Sequence, residues 1–226
     1  MKVVAVIPAY NEGKRIAATI ADAAKFCDAV VVTDDCSKDD TGGVARAAGA
    51  HVLRHIINRG QGAAIQTATT YALEFLKPDV IVHFDADGQM MGQEIPMMIE
   101  PIVKGEADVV LGSRFLGKKA NMPLTRWLTL RLALLFTVFI SGIRVTDTHN
   151  GYRALSAKAA SEMKITLDRM AHASQILDLI KAKRFKFVER PVTIRYSEET
   201  LAKGQSSLGA LVILKDFFKD KFLGDL

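Results

Sequence analysis

The sequence is poor in the residues and segments that mark several classes of protein. It has only two cysteines, Cys27 and Cys36, too few for a disulfide-rich scaffold and without the spacing of zinc ligands. The N-terminus lacks the form of a signal peptide, and no apolar run reaches the roughly 20 residues that span a bilayer. We therefore expect reduced cysteines and a cytoplasmic location, with any contact to the cytoplasmic membrane face being peripheral.

Signatures of other nucleotide-binding proteins are also missing. No G-x-G-x-x-G follows the first predicted strand, as a dinucleotide-dependent dehydrogenase requires, and no N-terminal glycine-rich loop indicates a sugar nucleotidyltransferase. The net charge of +5 is compatible with phosphate-rich substrates or anionic lipid. However, no basic stripe with interleaved aromatic residues is present, so we expect no nucleic-acid partner.

What the first half of the chain does contain is a regular alternation of short apolar runs and helix-like segments. We predict strands at residues 3–7, 29–33, 51–54, from 80 onward and 107–111, and helices at 14–26, 44–48, 63–76 and 93–104. Short connections between them predict an α/β fold with a mostly parallel sheet and helices on both faces.

The second half has a different pattern but is not separated by a linker, so we predict a single domain over residues 1–226. A helix is expected at 171–183 and a strand at 185–196. The apolar stretch 128–143 and the amphipathic segment 208–222 fit either core packing or the lipid headgroup region. For the second of these, packing in a homodimer is a further alternative.

The predicted strand that begins at Val80 ends in two acids, Asp85 and Asp87. In extended chain, residues two apart point the same way, so both carboxylates can face one point at the sheet's carboxyl edge, where open α/β sheets bind ligands. Two converging carboxylates suit a hard divalent cation, and Mg²⁺ commonly shares such a site with substrate phosphates. On its own the pattern also fits two acids that cap a turn.

The acid pair belongs to one of six short motifs that follow one another along the chain. They are IPAYNE (7–12), VVTDDCSKDDT (31–41), NRGQGAA (58–64), DADGQ (85–89), GSRF (112–115) and DTHNGYRAL (147–155). Together they resemble the family 2 glycosyltransferases of the GT-A fold. The chain is most similar to their branch of dolichol-phosphate mannosyltransferases and polyprenyl-phosphate glycosyltransferases.

This resemblance implies a metal-dependent, inverting enzyme that moves a sugar from a nucleotide-sugar donor of the GDP-mannose or UDP-glucose type. The implied acceptor is a polyprenyl or dolichyl phosphate, and the implied cofactor is Mg²⁺ or Mn²⁺. The nucleotide and metal half would cover about residues 1–115, and the acceptor half about 116–226.

The resemblance also assigns roles to individual residues. Metal ligands would be Asp85, Asp87 and Gln89, and the nucleoside pocket would be lined by Pro8, Tyr10, Glu12 and Asp35. Asp35 would accept a hydrogen bond from a base N–H group. Phosphate contacts and catalysis would fall to Asp87, Arg114, Arg126 and, in a polar loop, Lys203, since a guanidinium fork matches phosphate oxygens.

Four positions depart from the family pattern: Cys36 replaces a glycine, Gln61 a common lysine, Leu130 a serine and Gln175 a glutamate. We expect the turn at Cys36 to be altered or strained. Gln175, together with Arg114, Arg126 and Lys203, favours a phosphate acceptor, because a hydroxyl acceptor needs a general base whereas a phosphate needs only cationic contacts. Two alternatives stay open: transfer to a saccharide or protein hydroxyl, and a nucleotide-binding relative without catalysis.

Overall fold

The computed structural model describes residues 1–116, 143–148, 150–167 and 172–195. Seven strands lie in this part: β1 Val3–Ala9, β2 Ala29–Asp34, β3 His51–Arg54, β4 Val80–His83, β5 Val109–Ser113, β6 Arg153–Ser156 and β7 Phe187–Pro191. The described α-helices are α1 Ile16–Ala23, α2 Thr41–Ala47, α3 Gln61–Tyr71, α4 Ile95–Val103, α5 Ala157–Glu162 and α6 His172–Ala182. A π-helical turn, Ala72–Leu76, extends α3, and a 3₁₀ turn, Gly92–Glu94, precedes α4.

The strands form one sheet in the order β3-β2-β1-β4-β6-β5-β7. All pairings are parallel except those of β6, which runs antiparallel to both β4 and β5. The predicted α/β class with a mostly parallel sheet is therefore confirmed. Strand β6 was not predicted, because its four residues begin with a charged one and show no apolar run.

Alternating side chains of the sheet face two separate layers of helices. On one face, Ala5 and Ile7 pack with the apolar residues of α1, α2 and α4. On the other face, Val4 and Val6 pack with α3, α5 and α6. Because both faces are covered, β1 is apolar and buried along its whole length, as expected for a central parallel strand.

The chain changes direction across the sheet at β1. From β1 it moves outward through β2 to β3, and then returns to place β4 on the other side of β1. Such a reversal leaves a crevice at the carboxyl ends of the two diverging strands, the usual ligand-binding position in open α/β sheets. The residues that follow β1 and β4 therefore flank this crevice.

The second half confirms two predicted elements and leaves others untested. The helix expected at 171–183 is present as His172–Ala182, and the strand expected at 185–196 is the shorter Phe187–Pro191. The segment 208–222 and nearly all of 128–143 lie outside the described residues, so membrane contact and a homodimer remain predictions. Within the described ranges, no helix combines the length and apolar character needed to cross a membrane.

Candidate active site

The crevice between β1 and β4 is bordered by the acids that follow β4 and by the segment that enters β6. His83 pairs with Arg153 across the antiparallel β4–β6 ladder, which brings Gly151 beside Asp85. A Cβ atom on Gly151 would lie only 2.5 Å from Asp85 Oδ2. The backbone thus approaches this carboxylate more closely than any residue other than glycine would allow.

Asp85 is an unusually weak acid in the metal-free chain. Burial and, next, the negative charge of Asp87 raise its pKa from 3.8 to about 7. The charge of Arg153 and a hydrogen bond from Gln61 Nε2 to Oδ1, at 2.9 Å, act in the opposite direction. Ionising both acids is therefore unfavourable even with Arg153 nearby, and a cation in the crevice would offset that penalty.

Asp87 and Gln89 form a short loop whose shape is set by backbone hydrogen bonds. The Gln89 N–H group donates to Asp87 Oδ1 at 3.0 Å, while the Gln89 carbonyl accepts from the Arg195 N–H group at 2.9 Å. Burial raises the pKa of Asp87, against that backbone hydrogen bond and the charge of Arg15. Gln89 as a metal ligand stays a prediction.

The donor set fits a divalent cation that takes part of its coordination from substrate. No three His, Cys, Asp or Glu side chains cluster as a metal site in the described part of the chain. Asp85 and Asp87 alone are a typical protein contribution for Mg²⁺, which is bound through one or two carboxylates together with water and substrate phosphates. Burial and, next, the charge of Asp87 raise the pKa of Asp85, and such an ion would offset both effects.

Asp35, just after β2, is buried and organises the turn that leads into α3. Its Oδ1 accepts from the Arg59 N–H group at 2.9 Å, and its Oδ2 from the Gly60 N–H group at 2.6 Å. His55 Nδ1 lies 2.7 Å from Oδ1, and Asn58 Nδ2 donates to the Asp35 carbonyl at 3.2 Å. The carboxylate thus has partners within the chain, and its predicted bond to a base stays a prediction.

Cys36 occupies the left-handed region, with φ of 63°. The glycine-like turn is thus retained with a Cβ atom present, which costs about 1–2 kcal/mol. The N–H group of Ser37 donates to Asp34 Oδ1 at 2.9 Å, and Cys36 Sγ lies 3.5 Å from the Ile56 carbonyl. Of the two outcomes expected for this position, the structure shows the strained one.

Three of the residues predicted to line the nucleoside pocket lie in or shortly after β1, on the side of the crevice. Pro8 lies within β1 and is buried, whereas the Tyr10 ring is 43% exposed. Glu12 Oε2 forms an ion pair with Arg15 Nη1 at 2.7 Å. The structure therefore brings Tyr10 and Glu12 to the predicted region, and their contacts to a nucleoside remain predictions.

Arg114 is engaged by a carboxylate of its own chain. Its Nε and Nη2 donate to Asp147 Oδ2 and Oδ1 at 2.6 and 2.7 Å, and its backbone N–H group donates to Oδ2 at 3.1 Å. The Asp147 side chain is 1% exposed. This bidentate pair fixes the segment after β5, and a phosphate contact by Arg114 stays a prediction. Arg126 and Lys203 lie outside the described residues, as does Leu130.

The motif at 147–155 was recognised in the sequence, but no role was predicted for any of its residues. Arg153 is 3% exposed; burial lowers its pKa to about 10, against the charges of Asp85 and Asp147. It therefore carries its charge at neutral pH. Burial, followed by the charge of Arg153, lowers the pKa of His83 well below the usual value, so this neighbour is neutral. The only sequence feature that marked Arg153 was its position as a charged residue between apolar ones.

Gln175 has a local structural function. Its Oε1 accepts from the N–H groups of Thr166 and Leu167 at 2.9 and 3.0 Å, and its Nε2 donates to Thr166 Oγ1 at 2.6 Å. A glutamate could accept the two backbone bonds and could accept the third from the Thr166 hydroxyl, so these contacts do not by themselves explain the amide. The structure thus gives residue 175 a role in holding the segment before α6, and it supplies no argument about the acceptor.

A separate groove of about 620 Å³ lies on the α4 side of the carboxyl edge. Its lining residues are Gln93, Glu94, Met97, Leu116, Pro191, Val192 and Thr193. The Glu94 carboxylate accepts from the Thr193 N–H group at 3.0 Å, which connects the 3₁₀ turn before α4 to the segment after β7. Of the predicted site residues that the structure describes, none is among the residues that line this groove.

Comparisons with known proteins agree with this geometry. The family model described as "Glycosyl transferase family 2" matches residues 4–163. The chain is 31% identical over 222 residues to the UDP-N-acetylglucosamine–dolichyl-phosphate N-acetylglucosaminyltransferase of Methanococcus voltae, covering 88% of each chain. It is 32% identical over 222 residues to the undecaprenyl-phosphate mannosyltransferase of Micrococcus luteus, covering 92% of this chain and 89% of the relative.

A solved structure shows the same architecture. The glucosyl-3-phosphoglycerate synthase of Mycobacterium tuberculosis, in complex with Mn²⁺, UDP and phosphoglyceric acid, superposes with a TM-score of 0.68 at 18% identity, covering 94% of this chain and 78% of that one. At this identity the likeness concerns the fold, which is that of the GT-A glycosyltransferases. From the sheet, the crevice and the family match together, we conclude that this chain belongs to glycosyl transferase family 2 and is a glycosyltransferase of the GT-A fold.

Proposed function

We propose that this glycosyltransferase transfers a sugar from a nucleotide sugar to a polyprenyl phosphate and depends on Mg²⁺ or Mn²⁺. The observation that carries the proposal is the Asp85–Asp87 pair beside the β1–β4 crevice. Burial raises the pKa of both acids, and for Asp85 the charge of Asp87 adds to this effect. A bound divalent ion would offset that cost and would also compensate the negative charge of a donor diphosphate.

The arrangement of the sheet supports a donor that lies across the carboxyl edge. Asp35 follows β2, Tyr10 follows β1 and Asp85 follows β4, and these strands are neighbours. Adjacent strands are about 4.8 Å apart, so the ends of β2 and β4 are separated by roughly 10 Å. A nucleoside diphosphate of comparable length would reach from the Asp35 turn, with its base beside Tyr10, to the paired acids.

The reaction is a direct displacement at the anomeric carbon. An acceptor oxygen forms a bond to that carbon while the bond to the donor diphosphate breaks, and the departing nucleoside diphosphate takes the electron pair. One displacement of this kind inverts the anomeric configuration. A bound divalent ion offsets the charge that grows on the leaving group. Asp85 and Asp87 would hold the ion, and Gln61 and Arg153 would hold Asp85.

The two relatives above support a lipid phosphate as the acceptor, because their names specify dolichyl phosphate and undecaprenyl phosphate. A phosphate oxygen is already anionic at neutral pH, so its attack needs no general base, whereas a hydroxyl acceptor would need one. Since a polyprenyl chain resides in a bilayer, we further propose that the enzyme contacts the membrane peripherally during turnover.

The decisive experiment follows a radiolabelled sugar into lipid. UDP-N-acetylglucosamine, UDP-glucose and GDP-mannose are each incubated with Mn²⁺ and either undecaprenyl phosphate or undecaprenol. We expect one donor to label the phosphate and not the alcohol, with an inverted anomeric linkage in the product. Labelling of undecaprenol alone, or of saccharide or protein hydroxyls alone, would replace the lipid-phosphate acceptor with the hydroxyl alternative.

A pair of matched variants tests the metal site in the same assay. Asp87→Asn should lower transfer by at least about 100-fold, since even residues that only support a metal ligand contribute about 10–100-fold. Asp40→Asn is the control, because Asp40 is exposed and its side chain does not cap α2. Full activity of Asp87→Asn, or activity undiminished in EDTA, would contradict a metal-dependent reaction.

A further inference from the structure

Three consecutive residues connect Asp35, which follows β2, to Asp85, which follows β4. Arg59 and Gly60 donate their N–H groups to Asp35 at 2.9 and 2.6 Å. The next residue, Gln61, is the first of α3 and donates from Nε2 to Asp85 Oδ1 at 2.9 Å. Hydrogen bonds to Asp35, the peptide bond between Gly60 and Gln61, and the hydrogen bond to Asp85 thus form a path between the residues after β2 and those after β4.

This path is held in place on both sides. His55 lies 2.7 Å from Asp35 through Nδ1 and 2.9 Å from Thr67 through Nε2, so the turn and α3 are clamped together. Gly60 has a φ of 88°, a left-handed conformation that glycine adopts without strain. The starting point of the Gln61 side chain is therefore fixed by Asp35 as well as by the helix.

The Asp85 carboxylate is confined to one orientation by these contacts. Gln61 engages Oδ1, and the backbone at Gly151 closely approaches Oδ2. Residues that orient a metal ligand in this way commonly determine metal affinity, since ligands must be held to within about 0.5 Å of their productive geometry.

We propose that Gln61 is a positioning residue that orients Asp85 toward the cation and couples it to Asp35, so that occupancy of the nucleoside end of the crevice alters affinity at the cation end. This inference rests on the proposed function, because it concerns the same crevice. Such coupling is reciprocal. If binding at the nucleoside end changes the affinity for the cation by some factor, cation binding changes the affinity for the nucleoside by the same factor.

The first test measures Mn²⁺ affinity from the electron paramagnetic resonance signal of free Mn²⁺, with the full chain and no nucleotide. Gln61→Ala should weaken Mn²⁺ binding about 10-fold, within the range seen when a supporting residue is removed. Gln66→Ala is the matched control, because Gln66 lies on the same helix and bonds Ile165 and Thr70 instead. Its Mn²⁺ affinity should stay within about two-fold of the wild-type value.

The second test is a double-mutant cycle between Asp35 and Gln61. Asp35→Asn keeps one acceptor oxygen for the turn, and Asp35 is not expected to touch the ion. We expect this change to weaken Mn²⁺ binding several-fold in the wild-type background and to add little when Gln61 is already alanine, as coupled sites do. Equal effects in both backgrounds would show that the path carries no coupling and would overturn that part of the inference.

Melting temperatures in EDTA separate positioning from plain stability. If Gln61→Ala lowers the melting temperature but leaves Mn²⁺ affinity unchanged, Gln61 has a structural role only and the inference is wrong. The affinities are measured again with saturating UDP or GDP. A wild-type chain that binds no Mn²⁺ under either condition would overturn the proposed function itself, whereas wild-type binding with an unaffected Gln61→Ala variant would overturn only this inference.

Discussion

Replacing Asp85 with asparagine should stabilise the metal-free chain while removing its response to Mn²⁺. Burial and the charge of Asp87 raise the pKa of Asp85 from 3.8 to about 7. Each unit of pKa difference between the folded and unfolded states corresponds to about 1.4 kcal/mol, so ionised Asp85 opposes folding by about 4 kcal/mol at most.

The sign of the pH dependence follows from that shift. Because the folded chain binds this proton more tightly than the unfolded chain, the free energy of unfolding falls as the pH rises from about 4 to about 7, and the penalty is complete above that range. Asparagine carries no charge and can still accept from Gln61, but it loses the attraction of Arg153. We therefore expect a gain of about 2 kcal/mol at pH 8, or roughly 4–8 °C in melting temperature, and almost none near pH 4.

Urea unfolding in EDTA at several pH values measures this difference, and Mn²⁺ titration of the melting temperature measures the lost response. Asp40→Asn, at an exposed position, is the control and should change the free energy of unfolding by less than about 0.5 kcal/mol at every pH. The reasoning would be refuted if metal-free Asp85→Asn were less stable than the wild type at pH 8, or if its gain did not depend on pH.

Three further substitutions test two neighbours of Asp85 and the strained turn at Cys36. Gly151→Ala would place a Cβ atom 2.5 Å from Asp85 Oδ2, so Mn²⁺ affinity, followed by calorimetry, should fall about 10-fold; unchanged affinity would contradict the close approach. Arg153→Met removes the buried cation beside Asp85, while Asp147 keeps its ion pair with Arg114, and urea unfolding should show a loss of about 3 kcal/mol; a neutral effect would show that this charge is not needed there. Cys36→Gly relieves a φ of 63° and should raise the melting temperature by roughly 2–4 °C, for about 1 kcal/mol; a lower melting temperature would argue against strain.

Elements with a strong local pattern were predictable from the sequence. The central strands are apolar and buried on both faces, so each appears as a short apolar run regardless of its neighbours. The crevice was predictable for the same reason, because the polar residues that end such runs must lie at one edge of a parallel sheet. The pair Asp85 and Asp87 followed directly from that rule.

Contacts between distant segments were not predictable. Strand β6 has no apolar run, and it is recognisable only once β4 and β5 are in place on either side. The pairing of Arg114 with Asp147 joins residues 33 positions apart, which no local periodicity reveals. Gln61 was interpreted as the loss of a lysine, whereas the structure shows an amide that donates to Asp85.

The central claim is that Asp85 and Asp87 seat a divalent ion that carries the donor's diphosphate. Isothermal titration calorimetry of UDP and GDP into the wild-type chain, in Mn²⁺ and in EDTA, tests it most directly when repeated with Asp87→Asn. We predict that one nucleotide binds the wild type in Mn²⁺ at least about 10-fold more tightly than in EDTA, and that Asp87→Asn abolishes the difference. Equal affinity of the wild type in Mn²⁺ and in EDTA would contradict the claim.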